Sequence, residues 1–369
     1  MKAILCYSLL WILLLSVESF TQIQSEEKLE IVNADTMNNS RTPRGSLLEL
    51  IGNVHFRQGT SEMFCGRAEY WKDTHETIIE QNVRIYDRRK LLIADRVYYY
   101  DVPQIFKAMG HVLLRDSLQQ ITAQQVSYFK LEDRVIAEKS VAIKDSLNYI
   151  DIVGERAEFD NVKNYAIITD GPVFTKKDST GREEIRITSL QMELFESGDR
   201  AIATDSVRII QNKANATCGL AEFHRKKSEI FLKQQPVVWQ GGDRLSGELI
   251  HLFIKKNQLI KAIVRDQATV TSQVDTTGTD QRLNILTGQQ ITMYFENEEL
   301  FQVVVENKAT SDYHIIEENE EKGSNRIIGD KITVYLKDRK IEGIVVESNP
   351  QLSSGTYYPP GKMTEREKM

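Results

Sequence analysis

The feature that most constrains this chain is a phrase that it repeats at a fixed interval. Cys65-Gly66-Arg67-Ala68-Glu69-Tyr70, Ala94-Asp95-Arg96-Val97-Tyr98-Tyr99 and Ala123-Gln124-Gln125-Val126-Ser127-Tyr128 begin 29 residues apart. Each reads as a small residue, two mostly polar ones, an aliphatic or alanine, any residue, then an aromatic. A second phrase lies between them, in Asn82-Val83-Arg84-Ile85-Tyr86-Asp87, Gly110-His111-Val112-Leu113-Leu114-Arg115-Asp116 and Ser140-Val141-Ala142-Ile143-Lys144-Asp145. Its valines and closing aspartates keep the same spacing. A period in this range marks a stacked array, in which each unit is one supersecondary element that buries its apolar face only against its neighbours.

Followed outward, the small residue opens a unit at Ala34, Cys65, Ala94, Ala123, Gly154, Ser189, Cys218, Gly247, Gly288 and Gly329, giving about ten repeats of roughly 29 to 41 residues. The longer units contain polar, Gly-bearing inserts at 176–184, 275–281 and 317–325, which are expected at loop tips. Inside a unit the signal is strand: Val83 and Ile85, Val112 and Leu114, Val141 and Ile143, and Val207 and Ile209 alternate at period two. No segment sustains a helical apolar stripe. The small residue and its aliphatic sit three apart, so a uniform strand would send them to opposite faces. If both face inward, the strand bends or bulges between them, and each unit supplies strands to both walls of a two-walled stack. Pro172 and Pro236 precede Val173 and Val237 at strand starts, where a missing N–H costs little.

Length alone, at 369 residues, fits either two or three ordinary domains or one array. Hydrophobic residues at 41% and charged ones at 27% fit a folded chain, and a net charge of −6 without a dense Lys/Arg block makes a poor nucleic-acid binder. Residues 1–21 read as a signal peptide: Lys2, the apolar run Ala3 to Val17, then small residues around Val17-Glu18-Ser19 or Ser19-Phe20-Thr21. The run is shorter than the roughly twenty residues that span a bilayer. Retention as an anchor is the alternative. Cys65 and Cys218 occupy the same slot of units five apart, which at about 4.8 Å per strand rank is too far for a disulfide. Both are expected buried and free.

Chemistry-bearing motifs are missing. There is no phosphate loop, nucleophile elbow, H-E-x-x-H or paired CxxC, and the six histidines have no metal-ligand spacing. No catalytic residue, metal or cofactor is expected. Asp87, Asp116 and Asp145 read as strand-ending turn residues, with an acidic cation-binding ladder as the other reading.

Leu29-Glu30-Ile31-Val32-Asn33-Ala34-Asp35 followed by Ile51-Gly52-Asn53-Val54-His55-Phe56, and then the repeated phrases, resembles the OstA-like family of lipopolysaccharide-transport proteins. The resemblance is best over 29–175, with an echo to about 347. It implies an all-β fold, an elongated β-jelly-roll of stacked antiparallel strands open at both ends. It also implies a periplasmic protein that carries lipopolysaccharide from the inner to the outer membrane beside other export components. This chain is about twice as long as the shortest members and somewhat acidic. The expected organisation is a signal peptide at 1–21, the first half of the jelly-roll at 22–175, its continuation at 176–348, and a flexible tail at 349–369.

In such a role an apolar furrow between the walls shields acyl chains, each buried CH₂ contributing roughly 0.8 kcal/mol. The candidates to line it are Val54, Phe56, Tyr70, Val83, Ile85, Tyr99, Val112, Leu114, Tyr128, Val141, Ile143, Val207 and Ile209. Ordinary core packing is the other reading of each. Exposed terminal strands suit head-to-tail self-association. Competing functions are an inner-membrane-anchored component of the same pathway, a structural or adhesive scaffold, and a parallel β-helix enzyme acting on polysaccharide. The last needs acidic and basic residues in register on adjacent coils, whereas positions 95, 124, 155 and 330 carry Asp, Gln, Glu and Asp with no basic partner.

Overall fold

The computed structural model describes residues 30–360 apart from residues 101, 117–118, 212–213, 256–257, 275–281, 298, 318–319, 338–339 and 350–352. The expected signal segment at 1–21 lies outside the described residues. Among those described, the chain is all-β, with 26 strands and one 3-10 turn at 196–198. Every described pairing is antiparallel, as the repeat requires of sequential hairpins.

The strands belong to two compact units. The N-terminal unit contains β1 (Glu30–Asn33), β2 (Thr36–Thr42), β3 (Gly45–Gln58), β4 (Ser61–Trp71), β5 (Glu76–Asp87), β6 (Lys90–Tyr100), β7 (Ile105–Arg115), β8 (Gln119–Phe129), β9 (Arg134–Asp145), β10 (Ile150–Asp160), β11 (Tyr165–Thr169), β12 (Val173–Lys177) and β14 (Gln191–Phe195). The C-terminal unit contains β13 (Glu183–Thr188), β15 (Arg200–Gln211), β16 (Ala214–His224), β17 (Glu229–Lys233), β18 (Val237–Gln240), β19 (Asp243–Ser246), β20 (Leu249–Lys255), β21 (Gln258–Gln273), β22 (Leu283–Glu296), β23 (Glu299–Glu317), β24 (Glu320–Lys337), β25 (Lys340–Glu347) and β26 (Ser354–Tyr358).

What bends these strands is a pair of consecutive residues with left-handed backbone. It recurs at Gly52-Asn53, Gln81-Asn82, Gly110-His111, Lys139-Ser140, Asp170-Gly171, Asp205-Ser206, Gln234-Gln235, Asp266-Gln267 and Asn307-Lys308. Each pair for which the opposite strand is defined faces a single residue: Gly66, Asp95, Gln124 and Glu155 in the N-terminal unit, Gln289 and Asp330 in the other. Two residues against one is a bulge, and it turns the strand sharply. Side chains flanking it keep their inward direction, so buried Ile79 and Val83, Ala108 and Val112, and Ala137 and Val141 lie four apart. Both members of the small-x-x-aliphatic pair do face inward, as with Ala94 and Val97 at 2% exposure each. The extra residue, however, sits on the neighbouring strand and not between them.

The corner also explains the small-residue slot. A Cβ at Gly247 would lie 2.6 Å from Val264 Cγ1, and one at Gly288 2.6 Å from Val305 Cγ1. Acidic groups cap the outside of the bend: Asn53 Nδ2 donates to Asp35 Oδ2 at 2.9 Å, His111 Nδ1 meets Asp95 Oδ2 at 2.8 Å, and Ser140 N donates to Glu155 Oε2 at 3.1 Å. Positions 35, 95 and 155 are thus corner caps. Pro172 and Pro236 follow the left-handed pairs at 170–171 and 234–235, where the bend interrupts the strand.

Only part of one expected loop tip is loop: Glu317 ends β23 and residues 320–325 open β24, with His314 opposite Ser324 and Ile315 opposite Gly323, while residues 318–319 between the two strands lie outside the described residues. Gly323 and Ser324 are buried there, so these turn-forming residue types serve a packed ladder instead. Within the stretch 349–369, Ser354–Tyr358 pairs with Ser324–Ile328 of β24 as strand β26. Cys65 and Cys218 are buried and free, and burial pushes each thiol up to about 11.

Candidate functional site

In the N-terminal unit the corners divide every long strand into two half-strands, and the half-strands make two facing walls. Cross-strand pairing aligns their inward side chains in rows at fixed depth. Nearest the corner, Val54 stands beside Cys65, Val83 beside Ala94, Val112 beside Ala123 and Val141 beside Gly154. Further out on the first wall run Phe56, Met63, Ile85, Leu92, Leu114, Ile121, Ile143, Ile152 and Phe174. The second wall matches them with Leu48, Tyr70, Thr77, Tyr99, Phe106, Tyr128, Val135, Phe159 and Ala166. At the lip of the first wall the row turns polar: Gln58, Ser61, Asp87 and Lys90.

Between these walls is a cavity of about 450 Å³, within the range of small-molecule sites. Its floor and sides include Met63, Ile79, Ile85, Leu92, Val97, Tyr99, Phe106, Ala108, Leu114, Val126, Tyr128 and Val135, and its rim Gln58, Ser61, Asp87, Lys90, Gln104 and Lys130. Met63, Ile85, Leu92, Tyr99, Phe106 and Tyr128 point inward yet are only half-buried. Apolar side chains left half-exposed in a concave interior are the mark of a site that something else completes. Tyr99 and Phe106 stack at 4.3 Å between ring centroids, and Phe106 and Tyr128 at 6.3 Å, so one side of the cavity is an aromatic ladder. Burial, with the Asp133 carboxylate close by, pushes the Tyr128 hydroxyl up to about 12, which keeps it neutral.

The same rows close further along the unit. Ile143, Ile152, Phe159, Ile168 and Phe174 are each no more than 2% exposed, so large side chains from both walls fill the space that stands open from β4 to β8. In the C-terminal unit the interior of β20 to β24 is sealed likewise by Ile250, Leu252, Met293, Val303, Ile332 and Val334. A void there of about 40 Å³ beside Leu245, Leu259 and Phe295 has room for about one water.

Of the side chains expected to line a furrow, Ile85, Tyr99, Leu114 and Tyr128 line the cavity together. Phe56 and Ile143 lie in the same first-wall row but are buried, and Tyr70 lies half-buried in the second-wall row. Val54, Val83, Val112 and Val141 form the sealed corner row, while Val207 and Ile209 are buried in the C-terminal unit. Met63, Leu92 and Phe106 went unsuspected. Their signal was in the period: 63, 92 and 121 each stand two before the small residue, and 77, 106 and 135 recur every 29. The repeated aspartates end strands. Asp116 Oδ1 accepts from Gln119 N at 2.7 Å, and Asp145 Oδ1 from Leu147 N and Asn148 N at 2.9 and 3.0 Å. No cluster of His, Cys, Asp and Glu suited to a metal ion occurs among the described residues.

Residues 26–175, the stretch that holds this cavity, match the model of a family described as OstA-like protein. The match is a similarity over about two fifths of the chain. One solved structure with detectable likeness is the crystal structure of LptH from Pseudomonas aeruginosa, described as the LptA homologous periplasmic component of the conserved lipopolysaccharide transport device. It is 19% identical, with a TM-score of 0.30, and the alignment covers 40% of this chain and 95% of that one. No curated protein matches by sequence. The matched stretch covers both the open part of the trough and the filled strands β9 to β12.

Proposed function

We propose that this chain is a non-enzymatic, periplasmic lipopolysaccharide carrier, exported through residues 1–21, that shields acyl chains in the N-terminal trough as part of a bridge from inner to outer membrane. The observation that carries this reading is the apolar cavity between two walls within the OstA-like stretch. Each methylene transferred into it contributes about 0.8 kcal/mol, while a polar saccharide stays in water outside the rim. No bond is made or broken in such a transfer. Further supports are the edge strands β1 and β2. Among the described residues they pair with β3 alone and expose Ile31, Val32 and Met37, a surface open to strand addition by another export component or a second copy.

Photo-crosslinking residues at Ile85 and Phe106 are expected to capture lipopolysaccharide in cells, whereas those at Arg84, on the outer face of the same strand, and at Ile152, in the filled interior, are not. Equal capture at all four positions removes the trough as the binding site. Depletion is expected to leave lipopolysaccharide at the inner membrane, and an unaltered outer membrane would point to a structural scaffold.

A further inference from the structure

One wall of the C-terminal unit carries on its outer face a group of side chains that the trough does not use. It is built from β13, β15 after its bend, β16, β18 and β19. Alternation turns Ile187, Ile209, Ala216, Val238 and Leu245 into the filled interior, which leaves Arg186, Arg208, Asn215, Trp239 and Arg244 exposed on the outside. Arg186 stands opposite Ile210 and Arg208 opposite Thr188, so the two guanidiniums lie on a diagonal of one strand pair. Together with Ser206 these side chains line a cleft of about 350 Å³, within the range of small-ligand sites. Trp239 has Asn215 beside it on one neighbouring strand and Arg244 on the other. On the outward positions of this wall three arginines face one carboxylate, Glu184. Arg186 is engaged within the chain, whereas the guanidiniums of Arg208 and Arg244 make no ion pair or hydrogen bond among the described residues. In the N-terminal unit, by contrast, Arg67 is held among Glu49, Glu69 and Glu80, and Arg156 between Glu138 and Glu158.

We infer that this face is a binding surface for an acidic saccharide chain, one whose charges are carboxylates. The flat apolar face of a sugar ring packs on the exposed indole of Trp239, and its hydroxyls pair with Asn215, Thr188 and Ser206, which both donate and accept. Its carboxylates meet Arg186 and Arg208 in the cleft and Arg244 beside the indole, where the planar guanidinium fork matches a carboxylate edge to edge. Phosphate fits the face less well. The backbone N–H groups that cradle phosphate at helix termini and in nests are committed here to the strand ladder. From β13 to β19 is four strand steps, on the order of 20 Å, so the ligand that reaches both the cleft and Arg244 is a chain and not a single sugar. The site lies outside residues 26–175 and does not depend on the trough.

The test is calorimetric titration of the full exported chain with tetragalacturonate, with its methyl ester, which keeps the rings and removes the charge, with tetraglutamate, and with inorganic phosphate. Tetragalacturonate is expected to bind, and the other three to bind far more weakly. Arg208→Ser and Arg244→Ser should each weaken it by roughly fivefold, an effect that shrinks as salt is raised. Trp239→Ala should weaken it by roughly fivefold as well and abolish the change in indole fluorescence on binding. These side chains are exposed, so the variants are expected to fold, and Arg84→Ser, at an exposed position of the N-terminal unit, should change nothing. Equal binding of the methyl ester overturns the role of the arginines. Tetraglutamate that binds as tightly shows a surface for acidic protein segments and overturns the saccharide assignment, and phosphate that does so shows a plain anion site and overturns it too. Failure of tetragalacturonate to bind, or binding that survives both Arg208→Ser and Trp239→Ala undiminished, overturns the site itself.

Discussion

Substituting alanine for isoleucine at two positions of one inward row separates an open trough from a filled core. Ile85 and Ile152 both lie on the first wall, five strands apart, and both point between the walls. Ile152 is 2% exposed, held between Ile143 and Phe174 on the neighbouring strands. Its truncation deletes three carbon groups worth about 2.4 kcal/mol in transfer and leaves an enclosed cavity, so the total should be about 3–5 kcal/mol. Ile85 is half-buried and borders space that is already empty. Only about half of that transfer applies and no new cavity closes around it, so Ile85→Ala should cost about 1.2 kcal/mol. A bound acyl chain covers the other half, and its loss should weaken lipid binding about eightfold, with Ile152→Ala leaving affinity nearly unchanged. Urea unfolding followed by the fluorescence of Trp71, which is buried under Arg44 at 4.4 Å, reads the stability. A lipid titration reads the affinity. Equal destabilisation by the two substitutions would mean that the trough is closed in solution and would refute the argument.

Other expectations concern the corners, the thiols and a buried histidine. Gly110→Val should cost roughly 2 kcal/mol or more, because φ is +76° and the new Cβ would stand 2.2 Å from Asp95 Oδ2; Lys139→Gly, at a left-handed position of the same kind, should be neutral or stabilising by about 0.5 kcal/mol in the same urea assay. Cys65 and Cys218 should resist a thiol-specific disulfide reagent at pH 8 and react fully in urea, since burial holds both near 11; fast labelling of the native chain would contradict the packing of the corner row. His251 is clamped between Phe231 and Phe253 at 4.0 and 3.9 Å, and burial, with Arg265 and Lys261 adding to it against Glu229, lowers its pKa below 6.5. The unfolded chain then takes up the proton more readily. His251 therefore favours the folded C-terminal unit above pH 6.5, and that contribution is lost as pH falls through the lowered value. Urea midpoints across pH 7.5 to 5.5 should show this decline, and His251→Phe should flatten it.

Much of the fold was legible because the repeat encodes geometry as well as composition. The three-residue spacing of Ala94 and Val97 required a bend, and the bend is there. Its chemistry was less visible. Left-handed pairs such as Gln81-Asn82 and Lys139-Ser140 contain no glycine, so nothing in their residue types marks two successive unusual dihedrals. Only their recurrence opposite the residue that follows the small one identifies them. Residues 320–325 of the insert at 317–325 misled for a related reason. Gly, Ser and Asn commonly mark turns, but here Ser324 and Asn325 sit in a ladder opposite His314 and Tyr313.

The site was half legible, and the missing half has a structural cause. Period-two alternation tells which side chains face inward, but Ile85 and Ile143 have the same parity and the same place in the repeat. One borders a void and the other is sealed, because what separates them lies on the opposite wall and along the stack. Around β9 to β12 Phe159 and Ile168 from the second wall meet Ile152 and Phe174 from the first, whereas at β6 to β8 the aromatic rings of Tyr99, Phe106 and Tyr128 stack on one another along the wall. Stacked rings stay against their own wall and leave the gap between the walls unfilled. The trough is therefore a product of how neighbouring aromatics pack, a relation between strands that a single repeat unit cannot express. Replacing Phe106 with an aliphatic side chain should collapse it more readily than any change in the corner row.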